Sequence, residues 1–116
     1  MIDLIADRVW LAAGCTDMRK SIDGLAALVK YEMKLDPLQP AIFVFCGRRR
    51  DRIKLLYWDV NGFWLLYKRL EKGCFRWPAA GSESVLLTRR QLAWLLDGLH
   101  VEQRQAHQPV KASVVA

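Results

Sequence analysis

Arginine and lysine are the side chains whose spacing could do chemistry in this 116-residue chain. Residues 47–90 hold eleven Lys and Arg against four Asp and Glu, a net +7. Residues 1–46 hold five against six, and residues 91–116 hold two against two. The positive excess therefore lies in one middle segment. A field that local is suited to polyanions, nucleic acid above all. Its densest part is Arg48, Arg49, Arg50, Arg52 and Lys54, and one apolar run later come Lys68, Arg69 and Lys72.

The elements between these groups decide whether they meet. Ala41–Cys46, Ile53–Trp58 and Phe63–Arg69 are three runs rich in branched and aromatic residues. Asn61-Gly62 between the last two is a strong hairpin signal. An antiparallel meander follows, extended by Cys74–Trp77. Six residues of strand span about 20 Å, so the third strand should carry Lys68, Arg69 and Lys72 back to the sheet end that holds Arg48–Lys54. Up to eight cations would then share one rim, with Asp51 and Glu71 in opposition. Guanidinium groups clamp phosphate bidentately, so a phosphate backbone matches such a rim.

The flanks supply the rest of the fold. Arg8–Ala13 reads as a short strand and Gly14–Asp17 as a turn, with Thr16 or Asp17 capping a helix over Met18–Met33. Ile22, Leu25, Ala26, Val29 and Met33 lie on one face of that helix. Pro37 and Pro40 end it. Thr88-Arg89-Arg90-Gln91 fits a capping box, with Leu87 and Leu92 placed as a hydrophobic staple. Leu92, Leu95, Leu96 and Leu99 then make a stripe ending near Gly98. Leu55 and Tyr57 alternate with Leu56 and Trp58, so both sheet faces need cover, the helices on one and something further on the other. The expected fold class is α+β: an antiparallel β-meander of about four to five strands with two main helices packed on it. It forms one domain over residues 1–100, with residues 101–116 a flexible tail.

Three further features have two readings each. Arg89 and Arg90 stand in the first turn of a helix, where the macrodipole disfavours cations. They are either solvated side chains or part of an anion site. Tyr57, Trp58, Trp64 and Tyr67 interleave with the cations and are either core or stacking platforms for unpaired bases. Trp94 lies about 200° around the helix from Leu92, and is either covered by the tail or a contact for another protein.

Catalytic groupings are missing from the pattern. The twelve carboxylates form no D-x-D or H-x-x-x-D grouping of the kind a metal-dependent nuclease uses. The two histidines, His100 and His107, fall in or beside the tail. No phosphate-binding glycine loop occurs, and Cys15, Cys46 and Cys74 form no C-x-x-C pair. No cofactor or metal is expected. No apolar run reaches the roughly 18 residues of a membrane span, and MIDLIADRVW carries acids where a signal peptide is basic. A cytoplasmic protein with reduced thiols is the expectation.

Four separated blocks, in order, carry a resemblance: TDMRKSIDGLAALV (16–29), IFVFCGRRRDRIKLLYWD (42–59), NGFWLLYKRLEKGCFRWP (61–78) and LTRRQLAWLLDGL (87–99). Together they resemble the TnpB-type small accessory protein of insertion-sequence-66 mobile elements, which is distinct from the RNA-guided nuclease sharing that name. The resemblance implies a bacterial transposable element in which this protein accompanies a larger transposase. It supplies no catalytic residues. Asp17-Met18-Arg19-Lys20, Arg48–Arg50 and Thr88-Arg89-Arg90 match its motif positions. The expected function is non-catalytic: binding DNA phosphates through Arg48, Arg49, Arg50, Arg52, Lys54, Lys68, Arg69 and Lys72, with Arg89 and Arg90 as a second cluster. The alternatives are a module docking on the transposase through Trp94 and the aromatic sheet face, and a metal-dependent nuclease. Sequence leaves the oligomeric state open.

Overall fold

A computed structural model describes residues 8–78 and 84–99. Five strands, β1 (Arg8–Leu11), β2 (Ala41–Cys46), β3 (Arg52–Asp59), β4 (Gly62–Arg69) and β5 (Val85–Leu87), form one sheet in the order β4-β3-β2-β1-β5. Two helices accompany it, α1 (Ile22–Tyr31) and α2 (Arg89–Leu96). The class is α+β.

The sheet is mixed, which corrects the expectation of a wholly antiparallel one. β2, β3 and β4 pair antiparallel in chain order, but β1 lies parallel to β2, in register from Arg8↔Ala41 to Leu11↔Val44. A parallel neighbour needs a crossover of a dozen or more residues. The connection through α1, between Leu11 and Ala41, supplies it. β5 closes the far side antiparallel to β1. The segment Cys74–Trp77 adds no strand. Instead Phe75 and Trp77 turn inward as part of the core.

β2 reads AIFVFC and every residue in it is buried, as a central strand covered on both faces must be. On one face Phe43, Phe45 and Leu56 meet Leu25 and Val29 of α1, with Ile22, Ala26 and Met33 packed alongside. On the other, Ile42, Val44, Ile53 and Leu55 meet Leu92 and Leu95 of α2, together with Phe75 and Trp77. One helix therefore covers each face, where the sequence had suggested both on the same one.

Local chemistry sets the helix starts. Thr88 Oγ1 accepts from the Gln91 N–H at 3.1 Å and Gln91 Oε1 accepts from the Thr88 N–H at 2.9 Å, completing the capping box. α1 starts later than its apolar period implies, with Ser21 as N-cap and no side-chain cap bond. Asp17, expected as a cap, accepts the N–H of Arg19 at 2.9 Å in a local turn instead, and Thr16 is buried. The proposed tail, residues 101–116, lies outside the described residues.

Candidate nucleic-acid interface

The β2–β3 connection is a tight loop built on backbone bonds. The Gly47 N–H donates to the Arg52 carbonyl at 2.9 Å and the Arg50 N–H to the Gly47 carbonyl at 3.0 Å. Arg50 sits at φ 65°, a left-handed conformation that side chains other than Gly, Asn and Asp seldom take. The chain after β4 braces this loop. The Leu70 N–H donates to the Asp51 carbonyl at 2.7 Å, the Phe75 N–H to the Arg50 carbonyl at 2.6 Å, and Cys74 Sγ lies 3.6 Å from the Arg49 carbonyl. Phe75 is itself buried in the core, so the brace is anchored.

A second wall comes from the segment after β1. The Thr16 N–H donates to the Cys46 carbonyl at 2.8 Å, and Met18 packs over Gly47 so closely that a Cβ there would stand 2.8 Å from Met18 Cγ. Between the loop and this segment lies an open cleft of about 740 Å³, lined by Thr16, Met18, Arg19, Arg48, Arg49, Asp51 and Arg52 among others. Burial in the core beneath α2 pushes the thiol of Cys46, the last residue of β2, up to about 11, and the thiol stays neutral at physiological pH.

Register brings the expected cations to one end of the sheet and divides them between its faces. Arg52 pairs with Arg69, Lys54 with Tyr67 and Ile53 with Lys68. Paired residues share a face, so Arg52, Lys54 and Arg69 lie on the α1 side and Lys68 on the α2 side. Several of the charges are already engaged. Arg69 Nε donates to Glu71 Oε2 at 2.9 Å, which raises the Arg69 pKa further. Lys54 Nζ donates to the Lys20 carbonyl at 2.8 Å and lies 5.6 Å from the Tyr67 ring centre. Arg52 Nε is 3.9 Å from Asp51 Oδ1, and these two buried atoms have no hydrogen bond. Among the described residues, no ion pair holds Arg48, Arg49, Arg50, Lys68 or Lys72.

Arg19 was not among the sequence-derived site residues, although its block was noted. It flanks the cleft in an ion pair with Asp17 at 2.8 Å, and that bond holds the Asp17 carboxyl far below the usual carboxylate range. The signal was two adjacent cations before a helix start, but only the parallel β1–β2 pairing reveals that Arg19 lines the same cleft as Arg48.

Arg89 and Arg90 lie elsewhere. β5 ends at Leu87 opposite Val9, near the sheet end where β2 begins, whereas the arginine loop caps the end where β2 finishes. Trp94 is half-buried. Of the aromatics, Tyr57 is core, Trp58 stacks edge-on against Phe63 at 5.0 Å, and Trp64 and Tyr67 are exposed. No cluster of three His, Cys, Asp or Glu side chains able to hold a metal occurs among the described residues. None of their helices is long and apolar enough to cross a membrane.

Comparison with known proteins gives this architecture a family. The model of the family described as IS66 Orf2 like protein matches residues 7–106. The chain belongs to that family. It is 41% identical over 92 residues to the uncharacterized protein y4hO of Sinorhizobium fredii (strain NBRC 101917 / NGR234), covering 79% of this chain and 80% of the relative. It is 32% identical over 109 residues to the uncharacterized protein y4jC of the same strain, covering 91% and 93%. No solved structure matches. Membership in the IS66 Orf2-like family ties the protein to insertion-sequence transposition in an accessory role.

Proposed function

We propose that this IS66 Orf2-like protein is a non-catalytic DNA-binding accessory factor for transposition, holding phosphates on the loop Arg48–Arg50. The observation that carries the reading is Arg50. A bulky residue in the left-handed region costs about 1–2 kcal/mol, and glycine or asparagine would relieve it. The loop instead keeps three successive guanidinium groups there, without carboxylate partners among the described residues. Bracing by Leu70, Cys74 and Phe75 fixes the backbone, so a phosphate would meet an ordered loop rather than one it must order itself.

Arg52, Lys68 and Lys72 extend the contact surface around the triad, while Lys54 and Arg69 serve first to hold the rim together. Six cations neutralising about six phosphates give a log–log salt slope near −5. Fluorescence anisotropy of labelled duplex and single strands across a salt series tests this. Arg48/Arg49/Arg50→Ala should weaken binding and flatten the slope by about 3 units. A response indifferent to salt, or an unaltered triple variant, overturns the proposal. Strand cleavage in the same samples with Mg²⁺ or Mn²⁺ would instead make the protein a nuclease.

A further inference from the structure

β4 is the edge strand opposite β5, and the two edges are unlike. β5 has three residues; β4 has eight, GFWLLYKR, without proline or an interior glycine. Alternate residues of an edge strand turn their N–H and C=O outward, and no described strand pairs with β4 on that side. Trp64 and Tyr67 are 45% and 52% exposed along it. Proteins usually blunt such an edge by shortening it, charging it or covering it. Here cations sit only at the far end, as Lys68 and Arg69.

We propose that β4 pairs antiparallel with β4 of a second copy, about a two-fold axis at Leu66, making one sheet of ten strands. The sequence complements itself in that register. Trp64 falls opposite Lys68, Phe63 opposite Arg69, Leu65 opposite Tyr67 and Leu66 opposite itself. Each cation thus meets an aromatic ring on its own face of the sheet, a favourable cross-strand contact, and no like charges are opposed. Trp64 is prepared for this role: its Nε1 donates to Asp59 Oδ2 at 3.1 Å, which fixes the indole and sets a carboxylate near the incoming ammonium. A two-fold at Leu65 would leave Lys68 and Arg69 facing Gly62 and Asn61, without that match. The antiparallel arrangement also sends the two arginine loops to opposite ends of the joined sheet, limiting repulsion between them.

Sedimentation equilibrium of the nuclease-treated full-length protein tests the pairing, with wild type expected as a reversible dimer. Trp64→Lys opposes two ammonium groups twice over and should raise the dimer Kd at least about tenfold. Adding Lys68→Glu should restore it. Arg48/Arg49/Arg50→Ala should leave dimerisation unchanged, so this result is separable from DNA binding. If Trp64→Lys proves too unstable to weigh, Leu66→Cys in a Cys15→Ser/Cys74→Ser background decides: air oxidation should cross-link the two copies at the axis. A wild type that stays monomeric overturns the proposal. So does a double variant no tighter than Trp64→Lys, an absent cross-link, or dimerisation that begins only when residues 100–116 are removed.

Discussion

Two loops join the three antiparallel strands, and each places a non-glycine residue at positive φ. At the β2–β3 loop it is Arg50, at 65°; at the β3–β4 turn it is Val60, at 52°. Their surroundings differ entirely. Val60 is 87% exposed, and its turn is closed by the Asn61 N–H donating to the Asp59 carbonyl. The arginine loop is held by three contacts from the chain after β4 and by Met18 from the chain after β1. A strained residue in open solvent is a local defect of a turn. One that distant segments hold in place, and that belongs to a run of guanidinium groups, has the form of a built display surface.

Breaking the display should have the largest effect. In physiological salt, Arg48/Arg49/Arg50→Ala should lower DNA affinity on the order of a hundredfold while leaving the melting temperature near wild type. Next in size is the thiol under the loop. The Cys46 pKa is raised from 9.0 to about 11 by burial, so the folded protein retains its proton where the unfolded chain has lost it. That contribution is intact below pH 9 and disappears as pH rises to 11, a change of roughly 2 kcal/mol. Urea unfolding across that interval should show a steeper decline for wild type than for Cys46→Ala.

Gly47→Ala forces Met18 aside and should destabilise by about 1–2 kcal/mol. Coupling with Met18→Ala should be measurable in a double-mutant cycle. Arg50→Gly should stabilise by up to about 1 kcal/mol as strain is relieved, yet weaken DNA binding. At the solvent turn, Val60→Asn should give a similar or smaller stabilisation with no change in binding. If Arg50→Gly left binding intact, the two loops would be equivalent and the comparison would fail.

Much of this was legible in the chain. The capping box at Thr88, the apolar stripe of α1 and the three central strands follow from local pattern, because each is decided by residues within a turn or two. The hairpin was legible in kind but displaced by one residue: Asn61-Gly62 signalled it, while the loop residues are Val60 and Asn61, with Gly62 already paired to Asp59. What stayed hidden depends on contacts between distant segments. The parallel seating of β1 on β2 follows from the crossover through α1, which strand alternation does not encode. It is this pairing that brings Arg19 and Met18 to the arginine loop. The separation of Arg89 and Arg90 from that loop has the same origin, since it depends on where β5 joins the sheet.

The seating of β1 also bears on how the chain reaches its native state. The hairpins β2–β3 and β3–β4 close over short distances, but β1 must find β2 some thirty residues away, and β5 must then find β1 from the other end of the sequence. Contacts of long sequence separation form slowly. Until they do, AIFVFC lies with one flank bare, a sticky ribbon in a growing polypeptide. Pro37 and Pro40, immediately before it, keep that ribbon from lengthening toward the N-terminus, the role of gatekeepers against premature self-association.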